Sequence, residues 1–197
     1  MEKIEAFEYY LSTYFEKDIE QLERDILNQL RVNGAEIFKE FVQNLEELFE
    51  KVYKIQEVDE SKTVSYVSCS LLNINFLTHK PLFMVEAFDE NWFLFPSIYE
   101  QNYEFEWLSK PMYTFYEKAL QEQKKYVGKI LPTDVEKFIL LTLQRFFKHV
   151  MSFLSDMIKS YPIDEIEEFR LLKKENFTLT IGNYRGLFRV LYEEETA

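Results

Sequence analysis

The sequence contains a single cysteine, Cys69, among 197 residues. One thiol excludes an intrachain disulfide and a thiolate-bound metal cluster. The chain begins with the acidic and aromatic segment MEKIEAFEYY, which lacks the basic and apolar blocks of a secretory signal peptide. We therefore expect a cytoplasmic protein. Cys69 is expected to be a small buried hydrophobic residue rather than a nucleophile, because no histidine lies near it in the sequence.

Glycine is also scarce, with four residues where average usage would give roughly 14. All four fall where other signals end a helix or a strand: Gly34, Gly128, Gly182 and Gly186. The sequence has no glycine-rich phosphate loop, no dinucleotide-binding fingerprint and no serine elbow between glycines. It therefore predicts no cofactor.

Basic residues are outnumbered by acidic ones, 23 against 35, which gives a formal net charge of −12. The longest basic runs are the pairs Lys124-Lys125 and Lys173-Lys174. Nucleic acids and anionic membrane surfaces both require clustered Lys and Arg, so we expect neither as a ligand. A protein partner of this chain is expected to be basic.

No long apolar run is present, and this excludes a membrane span even in the most hydrophobic stretch, Thr133–Tyr161. Its unbroken apolar run extends only from Phe138 to Leu141, whereas a span needs roughly 18 residues. Spacings of three and four predict one long central helix over 133–161, apolar on more than one face. Thr133 and Glu136 have the spacing of a capping box at its start.

The N-terminal part of the chain is predicted to form an αα-hairpin. Helical spacing runs from Met1 to Asn33 and resumes from Ala35 to Tyr53. Asn33-Gly34 separates the two helices, and both residues favour the left-handed conformation of a helix C-cap. We expect one domain over residues 1–197, with the helical hairpin of residues 1–54 as a candidate semi-independent subdomain.

The middle of the chain is rich in β-branched and aromatic residues. It predicts one or two strands in Thr63–Leu77, further strands at Leu82–Phe88 and Trp92–Phe95, and a weaker strand signal at Tyr103–Leu108. The short connections favour antiparallel pairing.

The rest of the chain is predicted to contain two further helices and a C-terminal hairpin. Helices are expected over Met112–Val127 and 164–174, then a hairpin of Phe177–Ile181 and Leu187–Tyr192, then an acidic tail from Glu193. Because helices and strands come in blocks, the sequence predicts an α+β fold. An antiparallel sheet, formed by a meander and a C-terminal hairpin, would pack against the helices.

The two histidines, His79 and His149, are the residues on which an enzymatic hypothesis rests. Nothing in their spacing brings them together, so no metal site is predicted. His149 fits a half-buried residue hydrogen-bonded to a neighbouring carbonyl or acid. As an alternative, the chain is a hydrolase-like enzyme in which His149 or His79 acts with carboxylates, with or without a divalent cation. A pocket where a histidine meets two or more carboxylates would distinguish that alternative.

The segment Asp89–Trp107 combines aromatic and acidic residues, a composition suited to docking a basic protein. The alternative is that its rings fill the core between the sheet and the long helix. Tyr184-Arg185, at the tip of the C-terminal hairpin, poses the same choice. The candidate partner-binding residues are Asp89, Glu90, Trp92, Tyr99, Tyr103, Glu104, Glu106, Trp107, Tyr184 and Arg185.

These observations favour a non-enzymatic, acidic, cytoplasmic protein-interaction domain. An inhibitor or immunity-type protein that neutralises a basic partner, such as a nuclease-type toxin, would have this charge and this lack of catalytic motifs. Electrostatic steering would then make association fast and salt-sensitive. A third hypothesis is a helical scaffold whose N-terminal hairpin docks on its own copy.

Overall fold

The computed structural model describes residues 2–80 and 82–194. Over those residues the α-helices are α1 Lys3–Tyr10, α2 Glu16–Val32, α3 Gly34–Val58, α4 Asn73–Leu77, α5 Glu106–Gln123, α6 Pro132–Ile158 and α7 Glu167–Leu171. The strands are β1 Val64–Leu71, β2 Phe83–Phe88, β3 Tyr99–Tyr103, β4 Lys174–Asn183 and β5 Phe188–Glu193. Short 3₁₀ helices occupy Trp92–Leu94, Lys124–Tyr126 and Ile163–Glu165. The predicted α+β class is confirmed. The predicted acidic tail lies mostly outside the described residues.

The five strands form one sheet in the order β3-β2-β1-β4-β5. The meander β1-β2-β3 and the hairpin β4-β5 are antiparallel, as predicted. However, β1 and β4 pair in parallel, so the sheet is mixed and the prediction of a wholly antiparallel sheet is wrong at this pairing. The reason is the connection from β1 to β4, which contains α4 to α7 and is long enough for a parallel crossover.

Two predicted strands are helical. The second half of the predicted Thr63–Leu77 strand is α4, and the predicted Trp92–Phe95 strand is a 3₁₀ helix. In the latter segment Asp89 Oδ1 accepts a hydrogen bond from the backbone N–H of Asn91 at 2.8 Å, which tightens the turn, and Trp92 has a left-handed φ of 49°. The third strand is β3, and the predicted strand from Tyr103 instead leads into α5.

The N-terminal helix is confirmed, with a π-helical turn at Leu11–Phe15 between α1 and α2. The break before α3 is also confirmed, but its predicted left-handed cap is not, because Asn33 has a φ of −108°. Gly34 serves a different purpose. A Cβ there would lie 3.0 Å from the ring of Phe153, so the glycine allows α6 to approach the start of α3.

Helix α6 is the central packing element, as predicted, although it ends three residues earlier than Tyr161. Its start is capped by Asp134, whose Oδ2 accepts a hydrogen bond from the N–H of Leu131 at 3.1 Å, so the predicted Thr133–Glu136 cap is wrong. The Phe138 ring centroid lies 4.8 Å from that of Phe15 in the π turn. On another side of α6, Phe147 packs on Phe83 of β2 at 5.5 Å.

The polar strip of α6 is tied to α2 by one carboxylate. Glu23 accepts hydrogen bonds from Arg145 through both of its oxygens, and His149 Nε2 lies 2.9 Å from Glu23 Oε1. Burial alone would raise the pKa of Glu23, but the hydrogen bond to His149 and the charge of Arg145 outweigh it and lower that pKa. His149 is thus half-buried and bonded to one acid.

The bonds of Glu23 to Arg145 and His149 make the stability of the protein depend on pH. Because the pKa of Glu23 is lowered on folding, its contribution is present above the unfolded-state pKa and is lost as the pH falls through the folded-state pKa. We expect Glu23→Gln to lower the free energy of unfolding by about 1 kcal/mol at pH 7, with a smaller loss toward pH 4. Urea unfolding measures both values. The control is Glu20→Gln. Glu20 forms an exposed ion pair with Arg24, so this substitution should change the free energy of unfolding little. An equal loss at both pH values would contradict this prediction.

Candidate functional site

The two faces of the sheet differ in what covers them. Val85 and Ala87 of β2 lie in the hydrophobic core together with the helices, so Glu86 between them points to the opposite face. In register with Glu86 are Glu100 on β3 and Ser68 on β1. Local alternation therefore places a buried carboxylate in a polar row on the face that the helices do not cover.

The opposite face is covered by the connection between β2 and β3 and by the edge of β5. The Trp92 ring stacks on Tyr66 with centroids 4.8 Å apart and an interplanar angle of 7°. Phe93 contacts Phe88 at 4.9 Å, and Phe188 contacts Trp92 at 4.9 Å. We call these five rings the aromatic cap. The cap explains why the segment after β2 turns into a short helix, since that turn lays the Trp92 ring on the sheet.

Beside the aromatic cap is an open cleft with a volume of about 470 Å³. Its walls come from Glu86 and Glu100 on neighbouring strands, from residues 93–97, and from Tyr184 and Arg185 at the tip of the β4-β5 hairpin. We call it the acidic cleft. The fold thus brings the tip of the C-terminal hairpin to the segment between β2 and β3, which lies about 90 residues earlier in the chain.

Glu86 is the unusual group in the acidic cleft. Its side chain is only 4% exposed, and its Oε2 has no hydrogen-bond partner in the part of the chain that the structure describes. Burial, together with the nearby charge of Glu100, raises the pKa of Glu86 to about 7, although Arg185 acts in the opposite direction. A buried carboxylate without a partner is costly, and a cation placed beside it would remove that cost.

Arg185 is close to this carboxylate but does not neutralise it. Its guanidinium carbon lies 5.3 Å from the ring centre of Tyr184 and 6.0 Å from that of Phe93. None of the ion pairs within the described ranges includes Arg185, which is exposed in the turn between β4 and β5 and has a left-handed φ of 51°. The guanidinium therefore rests on two aromatic rings at the mouth of the acidic cleft.

Exposed apolar side chains lie on the wall of the cleft and on the adjoining β4-β5 hairpin. Leu94 is 84% exposed and Phe95 58%, and both line it. On the hairpin, Leu187 is 86% exposed, and Tyr184 and Phe188 are also exposed. We call these five residues the apolar rim. Side chains of this kind around a concave acidic surface are typical of protein-binding sites.

Three of the ten predicted partner-binding residues lie at the candidate site, and two line a separate depression. Trp92, Tyr184 and Arg185 belong to the aromatic cap or the acidic cleft. Asp89 and Glu90 line a smaller depression with Glu175, beyond the short helix that carries Trp92.

The other five predicted residues lie away from the cleft. Tyr103 is buried in the main core, Tyr99 packs against that core, and Trp107 lies beside Phe105. Glu104 accepts a hydrogen bond from the N–H of Leu82 at 3.0 Å, and Glu106 pairs with Lys110. For Tyr99, Tyr103 and Trp107 the structure therefore agrees with the alternative that aromatic rings of this segment fill the core.

The sequence-based prediction missed Glu86; Glu100 and residues 93–97 lie inside the predicted segment Asp89–Trp107 but were not among the ten candidate residues. Glu86 did carry a signal, because it is the one charged residue in the strand FMVEAF. Such a residue in an apolar strand with a two-residue period either faces solvent or occupies a specific site.

The histidines do not contribute to the acidic cleft. His79 stacks on Tyr113 with centroids 4.6 Å apart, and His149 is bound to Glu23. In residues 2–80 and 82–194 no group of three or more His, Cys, Asp or Glu is arranged to hold a metal ion. None of the helices described is long and apolar enough to cross a membrane.

Comparisons with protein-family models, with curated proteins and with solved structures find no match for this chain. The candidate site therefore rests on the geometry of the acidic cleft and its surroundings.

The burial of Glu86 should make the protein less stable at high pH. Its folded-state pKa of about 7 exceeds its ordinary value of 4.5, so the native state binds more protons between these values and the free energy of unfolding falls as the pH rises. We expect Glu86→Gln to raise the free energy of unfolding by on the order of 2 kcal/mol at pH 8 and to change it little at pH 4.5.

Urea unfolding at the two pH values tests this expectation, and ¹³C NMR of the Glu86 carboxyl gives its pKa directly. Glu90→Gln is the matched control, because Glu90 is exposed and lies outside the acidic cleft. A Glu86→Gln variant that is less stable than the wild type at pH 8 would show that the carboxylate has a structural partner.

Proposed function

We propose that this chain is a non-enzymatic protein-interaction domain of the cytoplasm, which docks a basic protein on the acidic cleft and apolar rim. The observation that carries the proposal is the buried Oε2 of Glu86, which has no hydrogen-bond partner among the described residues and belongs to a cleft bordered by exposed apolar side chains. A basic partner supplies both missing elements, a cation for Glu86 and a surface that covers the rim.

The charge of the whole chain supports a basic partner. A net charge of −12 attracts cationic proteins over about one Debye length, roughly 8 Å at physiological ionic strength, and repels nucleic acid and anionic lipid. Such steering raises the association rate more than the final affinity. An inhibitor or immunity-type protein must capture its target quickly and therefore requires fast association.

The affinity itself would come from the apolar rim. Covering an exposed Leu or Phe side chain contributes roughly 1.5–3 kcal/mol, and interface energy is concentrated in a few such residues. Leu94 and Phe95 are adjacent in sequence and both line the acidic cleft, so one partner element can cover them together. The rim thus provides binding energy, and the cleft provides charge selection.

The raised pKa of Glu86 favours a second candidate, a hydrolase-like enzyme in which the Glu86–Glu100 pair performs acid–base chemistry. A carboxyl group with a pKa near 7 is suited to that role. The docking function is preferred because the cleft is open and its border is apolar, whereas acid–base sites exclude water around the reacting atoms. The histidine version of this candidate has no support from proximity, since neither histidine lines the cleft.

The docking proposal predicts that the apolar rim controls partner capture. Tagged protein should recover a basic protein from its native lysate at low salt, and the purified pair should associate more slowly as salt is raised from about 50 to about 500 mM. The double variant Leu94→Ser with Phe95→Ser should raise the dissociation constant of the complex at least tenfold, because two rim side chains are lost.

The matched control for this experiment is Val127→Ser, which changes an equally exposed apolar residue in the turn after α5. Circular dichroism and urea unfolding confirm that the variants remain folded. Equal capture by the double variant and the wild type, or capture of acidic proteins alone, would contradict the proposed function.

A further inference from the structure

We infer that the acidic cleft is a seat for one primary ammonium group, the head of a lysine side chain of the partner, bound between Glu86 and Glu100. This inference rests on the proposed docking function and names the chemistry that the cleft selects.

The first argument is the state of Glu86. More than nine-tenths of the side chain is buried, it lines the acidic cleft, and its Oε2 has no hydrogen-bond donor in the described chain. Glu100 stands directly opposite on the neighbouring strand, and cross-strand pairs have Cβ atoms about 4.5–5.5 Å apart. This register puts both carboxylates on the same face of the sheet, and one cation placed between them would neutralise their repulsion.

The second argument distinguishes an ammonium from other cations. A metal ion needs more ligands than these two carboxylates, and no group of three is arranged for one in the described residues. A guanidinium binds best as a planar fork to both oxygens of one carboxylate, whereas only one oxygen of Glu86 is buried without a partner. An ammonium is compact and carries three donors that can be shared between Glu86 and Glu100.

The third argument comes from the walls of the cleft. Phe93 and Tyr184 present aromatic rings, and these suit the methylene stem of a lysine side chain as well as its charge. At present the Arg185 guanidinium lies over the same two rings without an ion pair. An entering ammonium therefore meets a like charge, which an exposed side chain carries. The positive charge of Arg185 therefore lowers the affinity of the cleft for the ammonium group.

The test uses the full chain and a lysine side chain in its simplest form, Nα-acetyl-lysine amide, whose side-chain ammonium is its only charge. Binding is followed by ¹⁵N and ¹³C NMR at pH 8. We expect shifts confined to the residues of the acidic cleft, and at least tenfold weaker binding in both Glu86→Gln and Glu100→Gln. Arg185→Gln should bind several-fold more tightly, because the competing charge is removed. Glu20→Gln, which changes an exposed carboxylate of α2 outside the acidic cleft, should bind like the wild type.

Two further measurements sharpen the result. With a Glu86 pKa of about 7, a proton competes with the ammonium, so binding should weaken about tenfold from pH 8 to pH 6. The neutral Nα,Nε-diacetyl-lysine amide should not bind, and Nα-acetyl-arginine amide should bind more weakly than the lysine compound. The lysine compound should also compete with the captured partner, which would identify the partner's side chain, rather than a free amine, as the source of the ammonium.

The inference is overturned if the lysine compound does not bind, if Glu86→Gln binds it as well as the wild type, or if the arginine compound binds more tightly. Failure of the inference and failure of the proposed function give different results. If the ammonium does not bind but partner capture still depends on Leu94 and Phe95, the docking function stands without this seat. If the ammonium binds the cleft but the rim variants capture partners like the wild type, the cation site stands and docking on the rim does not.

Discussion

Helix α6 is apolar on more sides than one neighbour can cover, so several elements must pack around it. Phe138 requires the π turn with Phe15, and Phe147 requires the sheet at Phe83. The start of α3 must then approach closely enough that only a glycine fits beneath Phe153. Helices α2, α4 and α5 also pack against α6, and the helices gather on one face of the sheet.

The opposite face is consequently left to short segments. The connection between β2 and β3 and the tip of the β4-β5 hairpin are too small to bury it completely, although Trp92 and Phe93 cover part of it. What remains is the acidic cleft beside the aromatic cap, with hydrophobic side chains exposed at its border. The candidate site is therefore a consequence of how the core is distributed rather than of a local sequence motif.

The sequence predicted the elements whose side-chain period is strong. The long helix, the N-terminal helices, β2 and the C-terminal hairpin all follow from periodicity and from the turn residues between them. It did not predict the parallel pairing of β1 with β4, because the alternation of β1 is the same in either orientation and its partner is chosen by packing across the intervening helices. Trp92–Leu94 has the composition of a strand, but its conformation is decided by stacking on Tyr66, far away in the chain.

The candidate site was predicted in part for a related reason. In the segment from Tyr99 to Trp107, aromatic and acidic residues alternate, which indicates two faces but not which face the helices will cover. Tyr103 lies in the core, whereas Glu100 lies on the open face of the sheet. The tip residues Tyr184 and Arg185 were recognised as exposed, but their approach to Glu86 depends on the sheet order, and no local pattern contains that order.

Glu86 gives the strongest physical reason to assign a function to the acidic cleft. Strand β2 would bury any medium-sized apolar residue at this position, and a neutral side chain would avoid the cost of a buried carboxylate. Its neighbours compensate only in part, because Glu100 repels it, while Arg185, whose charge favours the carboxylate, rests on aromatic rings instead of pairing with it. A group that breaks the local rule without a structural gain is characteristic of a binding site, where the missing partner belongs to another molecule. The same reasoning separates Glu86 from Glu23: within the described residues Glu23 is bonded to Arg145 and His149, whereas Oε2 of Glu86 has no hydrogen-bond partner.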